Sequence, residues 1–419
     1  MIATEALRAV AAAVDGDRVL GRLDELAAIG TDPLGGTTRI AFSAEEEAAL
    51  AVVGDWLRDA GLEPAYDEFG NMFASTDGNR AGAVTSVSGS HLDTVPNGGR
   101  FDGALGVVAA IEAVEAMKAV GALPQRPLEV VVWRCEEPVR FSQGRVGSLL
   151  FTGRVAPADL VSIGDPPFDL AAALAEEDRR PRRERSRRIA SCLELHIEQG
   201  RRLERARRAV GVVTAIAAPI RLRITIDGRS DHSGATPMDD RRDALCAASE
   251  LVLAVEEAAR REAATESVAT CARLTAAPGA INVVPGSAEI LVDVRGIDAA
   301  GMERLVEQIR LSADAIAARR EVRIETTILS RGTPTVLRAD VVDALAGAVQ
   351  QLGHEPVRLP SGAGHDAQCL AETAAVGMLF VPSVGGLSHC PEELTRPEDV
   401  IAGVQALAAG WLCLAQSFG

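Results

Sequence analysis

Two apolar runs that each end on groups able to do chemistry constrain this chain most. VTSVSGS, residues 84–90, runs into His91, and LEVVVW, residues 128–133, runs into Glu136 and Glu137. Both short segments, rich in β-branched and small residues, read as buried strands. Residues 103–120 between them carry a helical pattern, and a capped helix is expected from Ser43, with Glu46 three residues on, to about Ala60. Strands alternating with helices imply an α/β domain with a largely parallel sheet. Ligands in such sheets gather at the carboxyl ends of the strands, where the polar clusters fall.

The middle of the chain changes period. Residues 221–227, 288–295 and 322–327 alternate polar and apolar side chains, as strands with one wet face do. Helical patterns at 241–261 and 299–318 separate them. The expected organisation is therefore one domain from residues 1–213 and 331–419, interrupted by an inserted α+β domain at 214–330.

Bulk properties narrow the partners. With 43 basic and 59 acidic side chains the net charge is −16, which argues against a nucleic-acid backbone as partner. A small anionic substrate stays open, because one local Arg reverses the potential inside a cleft. No apolar run approaches the roughly 18 residues of a membrane span. The start, residues 1–19, reads as an amphipathic helix without the basic region of a signal peptide. Seven Cys stand singly with no CxxC, which fits reduced thiols and a cytoplasmic location. Lys118, the only lysine, is a poor candidate for Schiff-base chemistry. The Arg-dense run at 179–188 is read as a solvated loop.

Of the six His, five sit in polar, glycine-rich or acidic settings. His91 stands at a strand end with Asp93 two residues on, placed to accept the ring's other N–H and fix its tautomer. Asp102 follows in GRFDG, Glu136 and Glu137 end the next strand, His196 lies in ELHIEQG and His389 in GGLSHCPEE. Imidazole and carboxylate without clustered thiolate suit zinc or manganese in a hydrolytic site. Each motif alone is weak, since a lone His at a strand end is more often structural; their joint occurrence carries the reading.

The blocks SGSHLDTVPNGGRFDGALGV, EEPVRF followed by GS, ELHIEQG, DHSGATPMDDRRDA, INVVPG, VDVRG, SGAGHDAQ and SVGGLSHCPEE occur in order from about residue 88 to 393. Together they resemble the hydantoinase/carbamoylase family of amidases, relatives of dinuclear zinc aminoacylases and exopeptidases. The resemblance implies a mostly parallel-sheet, peptidase-like catalytic domain and a two-layer, ferredoxin-like inserted domain serving as lid and dimerisation surface of a homodimer. It implies two divalent metal ions per subunit, zinc or manganese with cobalt or nickel as alternatives. One ion falls to His91, Asp102 and His196, the other to Asp102, Glu137 and His389, with Asp102 bridging. Glu136 is then the general base acting on the bridging water, and His232 stabilises the oxyanion. Asn282 and Arg295 hold a substrate carboxylate, a task for which a planar guanidinium is suited. Gln199 and Gly364 match further substrate contacts, His365 is expected to orient the Gly364 loop, and His354 matches nothing.

Pro138, Arg201 and Asp231 depart from the family's usual residues, and Pro138 removes one N–H donor just beyond the base. None of these is a proposed ligand. The function implied is hydrolysis of the carbamoyl C–N bond of an N-carbamoyl-L-amino acid or similar ureido acid bearing a carboxylate. Allantoate amidohydrolase is the nearest rival, and an aminoacylase or dipeptidase is further off because those relatives carry a carboxylate at the position of His196. A non-catalytic binding protein of the same fold is remote, since Glu136 and the full ligand set are present.

Overall fold

The structure, a computed structural model, describes residues 4–164, 166–177, 180–262, 264 and 266–418. The chain forms two compact units, Met1–Thr214 with Leu337–Gly419, and Ala215–Val336. Its main strands, in chain order, are β1 (Val84–His91), β2 (Leu128–Trp133), β3 (Arg188–Ile197), β4 (Ala218–Asp227), β5 (Val268–Ala277), β6 (Ser287–Gly296), β7 (Arg323–Arg331) and β8 (Ala375–Val381).

In the first unit β2, β1, β3 and β8 lie side by side in that order, all parallel. Antiparallel strands flank them, with Met72–Ser75 against β2 and Gly211–Ile216 against β8. Every residue of β2 and β8 is buried, which explains why both are apolar but for Glu129 of β2. The helices Ala104–Ala119 and Pro397–Ser417 pack on each other and on these strands. Small residues set the spacing: a Cβ on Gly106 would stand 2.5 Å from the Leu195 carbonyl oxygen and 2.7 Å from Ser90 Cβ. Buried hydroxyls within the layer are satisfied, Ser86 accepting from the Trp411 indole at 3.0 Å and Ser88 donating to the Leu193 carbonyl at 2.6 Å. The helix from Ser43 forms as expected over Ala44–Asp59, with Ser43 Oγ accepting from the Glu46 N–H at 3.3 Å.

Three expectations change. The start of the chain holds two helices, Thr4–Ala12 and Gly16–Ala27, because Asp15 caps the second at the Arg18 N–H. Pro397–Ser417 is long and apolar enough to cross a membrane by length and composition, yet 72% of its apolar window is buried inside the protein, as a core helix requires. The Arg-dense run, of which Arg179 lies outside the described residues, is in part a buried clamp. Arg183 holds Glu129 of β2 with two hydrogen bonds at 3.1 and 2.9 Å, and Arg187 adds a third at 3.2 Å. The Glu129 side chain is 1% exposed, and those of Arg183 and Arg187 are 4% and 0% exposed. A run this basic reads as surface until its counter-charge on another strand is known.

The second unit has the order strand, helix, strand, strand, helix, strand, a ferredoxin-like pattern. Its antiparallel sheet runs β7, β4, β6, β5. Ile220, Leu222, Ile224 and Ile226 alternate inward on β4, as do Ile290, Val292 and Val294 on β6. They meet Leu251 and Val255 of the helix Ala244–Arg261 and Leu305 and Ile309 of Ala299–Arg320. The sequence reading missed β5. Its Ala-rich, mostly exposed segment lacks the apolar alternation of its neighbours, and pairing with β6 at the sheet edge defines it.

Glu129→Leu leaves the buried Arg183 without its counter-charge and Arg187 with Asp77 alone, so it is expected to cost about 3–5 kcal/mol in urea unfolding. Changing Glu129, Arg183 and Arg187 together to Leu, Met and Met should recover most of that loss.

Candidate metal centre and active site

Strand register builds the floor of the site. Ser88 of β1 pairs with Leu193 of β3, so three residues further His91 comes level with His196 at the carboxyl ends of both strands. Their rings stack with centroids 6.0 Å apart, and both residues are 2% exposed. Each Nδ1 faces a backbone carbonyl, His91 that of Asp93 at 2.9 Å and His196 that of Ile197 at 3.0 Å. A carbonyl only accepts, so the proton sits on Nδ1 and each Nε2 lone pair is turned to the same place.

Asp102 occupies that place. Its Oδ1 lies 3.4 Å from His91 Nε2 and 3.1 Å from His196 Nε2, while its Oδ2 lies 3.3 Å from His389 Nε2. His389 Nε2 is also 3.3 Å from Glu137 Oε1. Within each of the two sets, His91–Asp102–His196 and Asp102–Glu137–His389, the ligand atoms lie within 4.8 Å of one another. Imidazole and carboxylate at this spacing fit a divalent ion of the zinc or manganese kind.

Residues that the sequence reading did not single out hold Asp102 in place. Glu393 accepts from the Phe101 and Asp102 N–H groups at 2.8 and 3.1 Å, and the Ser388 hydroxyl lies 3.0 Å from Asp102 Oδ2 and 2.9 Å from Glu393 Oε2, its one proton shared between them. Both lie inside the GLSHCPEE block, so the signal was present but unassigned. Gly103, at φ +68°, lets the chain pass beneath His91: a Cβ there would meet the ring at 2.5 Å.

Asp93 acts differently from expectation. Its carboxylate is 3.6 Å from His91 Nδ1 and instead accepts the backbone N–H groups of Glu136 and Glu137 at 3.0 and 2.9 Å. The strand end thus fixes His91 through a backbone carbonyl and uses the acid to set two further carboxylates. Glu137 points into the second donor set, and Glu136 belongs to neither. Burial, with Glu137, Asp366 and Asp93 nearby, pushes the Glu136 carboxyl well above its ordinary range against the opposing pull of His91.

The same electrostatics act on the ligands. Hydrogen bonds to Asp102 and Glu137 raise His389 to about 10. Burial opposes protonation of His91, but Asp102 and Asp93 overcome it and hold that ring well above the usual imidazole range. Burial likewise works against the Asp102 anion, and the imidazoles of His196, His389 and His91 outweigh it and keep the group well below ordinary carboxylates. A field that traps protons so firmly is one that would hold a cation in their stead.

Gln199 donates to Asp102 Oδ2 at 2.7 Å, so it steadies a candidate ligand. His365 is 3% exposed, bonded to Ser361 at 2.8 Å and set edge-on to His196 at 4.6 Å. It backs the His196 ring and closes the turn that carries Gly364. Glu194 lies beneath, accepting from Ser90 at 2.7 Å and the Ala367 N–H at 3.1 Å. His354 sits in a half-exposed turn, and Pro138 is exposed. His232, Asn282 and Arg295 belong to the second unit. His232 and Val283 face each other across a short antiparallel bridge, and the Asn282 carbonyl accepts from Ser233 at 3.0 Å. Arg295 donates to Asp293 at 2.9 Å, so a substrate carboxylate there would compete with a neighbour on the same strand.

Comparison with known proteins gives the family. The model described as peptidase family M20/M25/M40 matches residues 87–411. An N-carbamoyl-L-amino acid amidohydrolase of Geobacillus stearothermophilus is 40% identical over 94% of this chain and 97% of its own. The allantoate amidohydrolase of Escherichia coli is 34% identical over 91% and 94%. Among solved structures, a hydantoinase/carbamoylase family amidase of Burkholderia multivorans superposes with a TM-score of 0.87 at 33% identity, covering 95% of this chain and 97% of the other.

Two outcomes are expected. Gly103→Ala should fold yet retain less than a tenth of the zinc that the unaltered protein holds after dialysis, as read by elemental analysis. Zinc titrated into metal-free protein at pH 7 should release protons, because the raised His91 and His389 must give theirs up. Calorimetry in buffers of different ionisation enthalpy reads that release, and the apparent affinity should weaken as the pH falls.

Proposed function

The chain belongs to peptidase family M20/M25/M40 and is a hydrolase of non-peptide C–N bonds, and from that premise we propose that it cleaves the carbamoyl C–N bond of an N-carbamoyl-L-amino acid. The observation that carries the reading is Asp102, which offers one oxygen to His91 and His196 and the other to His389. Two divalent ions, zinc or manganese with cobalt or nickel as alternatives, would be held by His91, Asp102 and His196 and by Asp102, Glu137 and His389, supplying Lewis acidity toward the carbamoyl oxygen and a more acidic water.

Glu136 receives the proton of the attacking water and passes it to the leaving nitrogen. Its neighbours favour the protonated form, so the group is suited to return a proton it has taken. Water adds to the carbamoyl carbon, the bond to the amino-acid nitrogen breaks, and the carbamate left over falls to ammonia and carbon dioxide. Asp93 holds Glu136 by its backbone while Glu393 and Ser388 hold Asp102, so neither carboxylate needs to reorganise as charge moves. In the second unit we assign Arg295 and Asn282 to the substrate carboxylate and His232 to the charge developing on the carbamoyl oxygen, with Gln199 and Gly364 as contacts from the first. A homodimer through the second unit and a cytoplasmic location complete the reading, with neither nucleic acid nor membrane as partner.

Allantoate is the second candidate substrate, supported by the Escherichia coli relative. Ammonia release from N-carbamoyl-L-amino acids, N-carbamoyl-β-alanine, allantoate and N-acetyl amino acids, with zinc- or manganese-loaded protein, separates the two. One ureido acid should turn over, and Glu136→Gln should lower kcat at least a thousandfold while still binding metal. Cleavage of acetylated compounds with silence on every ureido acid would overturn the substrate class.

A further inference from the structure

Arg145 is a cation at the edge of this site to which the mechanism gives no task. It follows Gly144 in a left-handed turn, φ +61°, and its N–H donates to the Glu136 carbonyl at 2.6 Å, which ties it to the backbone of the candidate base. Its guanidinium lies across Gly364: a Cβ there would stand 3.4 Å from Nε and 3.5 Å from Cζ. One terminal nitrogen donates to the Gln368 carboxamide oxygen.

Arg145 differs from most buried guanidinium groups of this unit in its counter-charge; Arg39, which also lacks an ion pair among the described residues, spends its donors on the Leu92, Leu26 and Ile29 carbonyls. Arg22, Arg134, Arg183 and Arg187 each pair with a carboxylate at 3.2 Å or closer. Among the described residues no carboxylate lies at ion-pair distance from Arg145, although it is half-buried. Such a guanidinium keeps donors for an incoming anion and grips a carboxylate through a planar fork. The loop it faces ends at the buried His365, which packs edge-on against His196.

We propose that Arg145 binds a second carboxylate of the substrate, so that the preferred ureido acids are N-carbamoyl derivatives of amino acids with acidic side chains. This inference rests on the ureido-acid reading above, in which Arg295 and Asn282 take the carboxylate common to all such substrates. Arg145 takes the additional one, carried on the side chain, within the first unit. A neutral isostere leaves the guanidinium facing an amide that cannot supply the counter-charge, and selectivity follows from that loss.

The test compares N-carbamoyl-L-glutamate with N-carbamoyl-L-glutamine, and the aspartate with the asparagine derivative, on metal-loaded protein. The unaltered enzyme should favour each acid over its amide by at least tenfold in kcat/KM, mainly through KM, and added salt should narrow the gap. Arg145→Met should bring the ratio close to one, and Arg145→Lys should leave an intermediate ratio; circular dichroism and metal content establish that both variants are folded. No preference in the unaltered enzyme overturns the proposal. So does a preference that survives Arg145→Met, or an equal loss on acid and amide, which would place Arg145 on the shared carboxylate. Failure to hydrolyse any ureido acid sinks the reaction itself, and calorimetric binding of the same pairs to the unaltered protein and Arg145→Met then still decides the anion site.

Discussion

Everything at this centre depends on one buried carboxylate being shared in two directions. Asp102 cannot face three imidazoles by its own preference, because burial alone disfavours its charge. It does so because its backbone N–H is held by Glu393, its Oδ2 accepts from Ser388 and Gln199, and Gly103 lets the chain turn beneath His91. The imidazoles in turn are fixed by carbonyls at Nδ1, and the strands bring them level through register rather than through side-chain adjustment. The parallel sheet thus does more than carry the residues: it sets the distance between them.

The parts legible in the sequence were those with a period or a motif. β1, β2 and the helices beside them follow from apolar runs and caps, and the candidate ligands from clusters at strand ends. Other features depend on contacts between distant segments, which no local pattern reports. Arg183 and Arg187 looked like surface until Glu129 was found opposite them, and β5 is a strand because β6 pairs with it. Asp93 shows the same limit at atomic scale. Its spacing from His91 suggested a carboxylate partner for the ring, but the backbone carbonyl took that place and the carboxylate was left to anchor Glu136 and Glu137.

The two units divide the labour differently in electrostatic terms. In the first, several buried acidic and basic groups are matched, as Arg183 is with Glu129, while the half-buried Arg145 is tied to the backbone of the candidate base. The second builds its core from aliphatic side chains and leaves its charges on the outside of the sheet, where Arg295 already has Asp293 as a neighbour. A buried, unmatched charge is costly to keep and therefore more informative than an exposed pair worth about 0–1 kcal/mol.

The contact between Glu393 and the Phe101–Asp102 backbone joins distant parts of the chain, 292 positions apart for the first of its two hydrogen bonds. During translation the first ligands emerge early, but Asp102 lacks its Glu393 and Ser388 anchors and His389 does not exist until nearly all of the sequence has been made. A growing polypeptide can therefore offer at most the His91–Asp102–His196 set, and not the shared centre, until its C-terminal part is made. Metal capture by the complete set is postponed to the end of synthesis, when a ragged or interrupted product has already been set apart from a finished one.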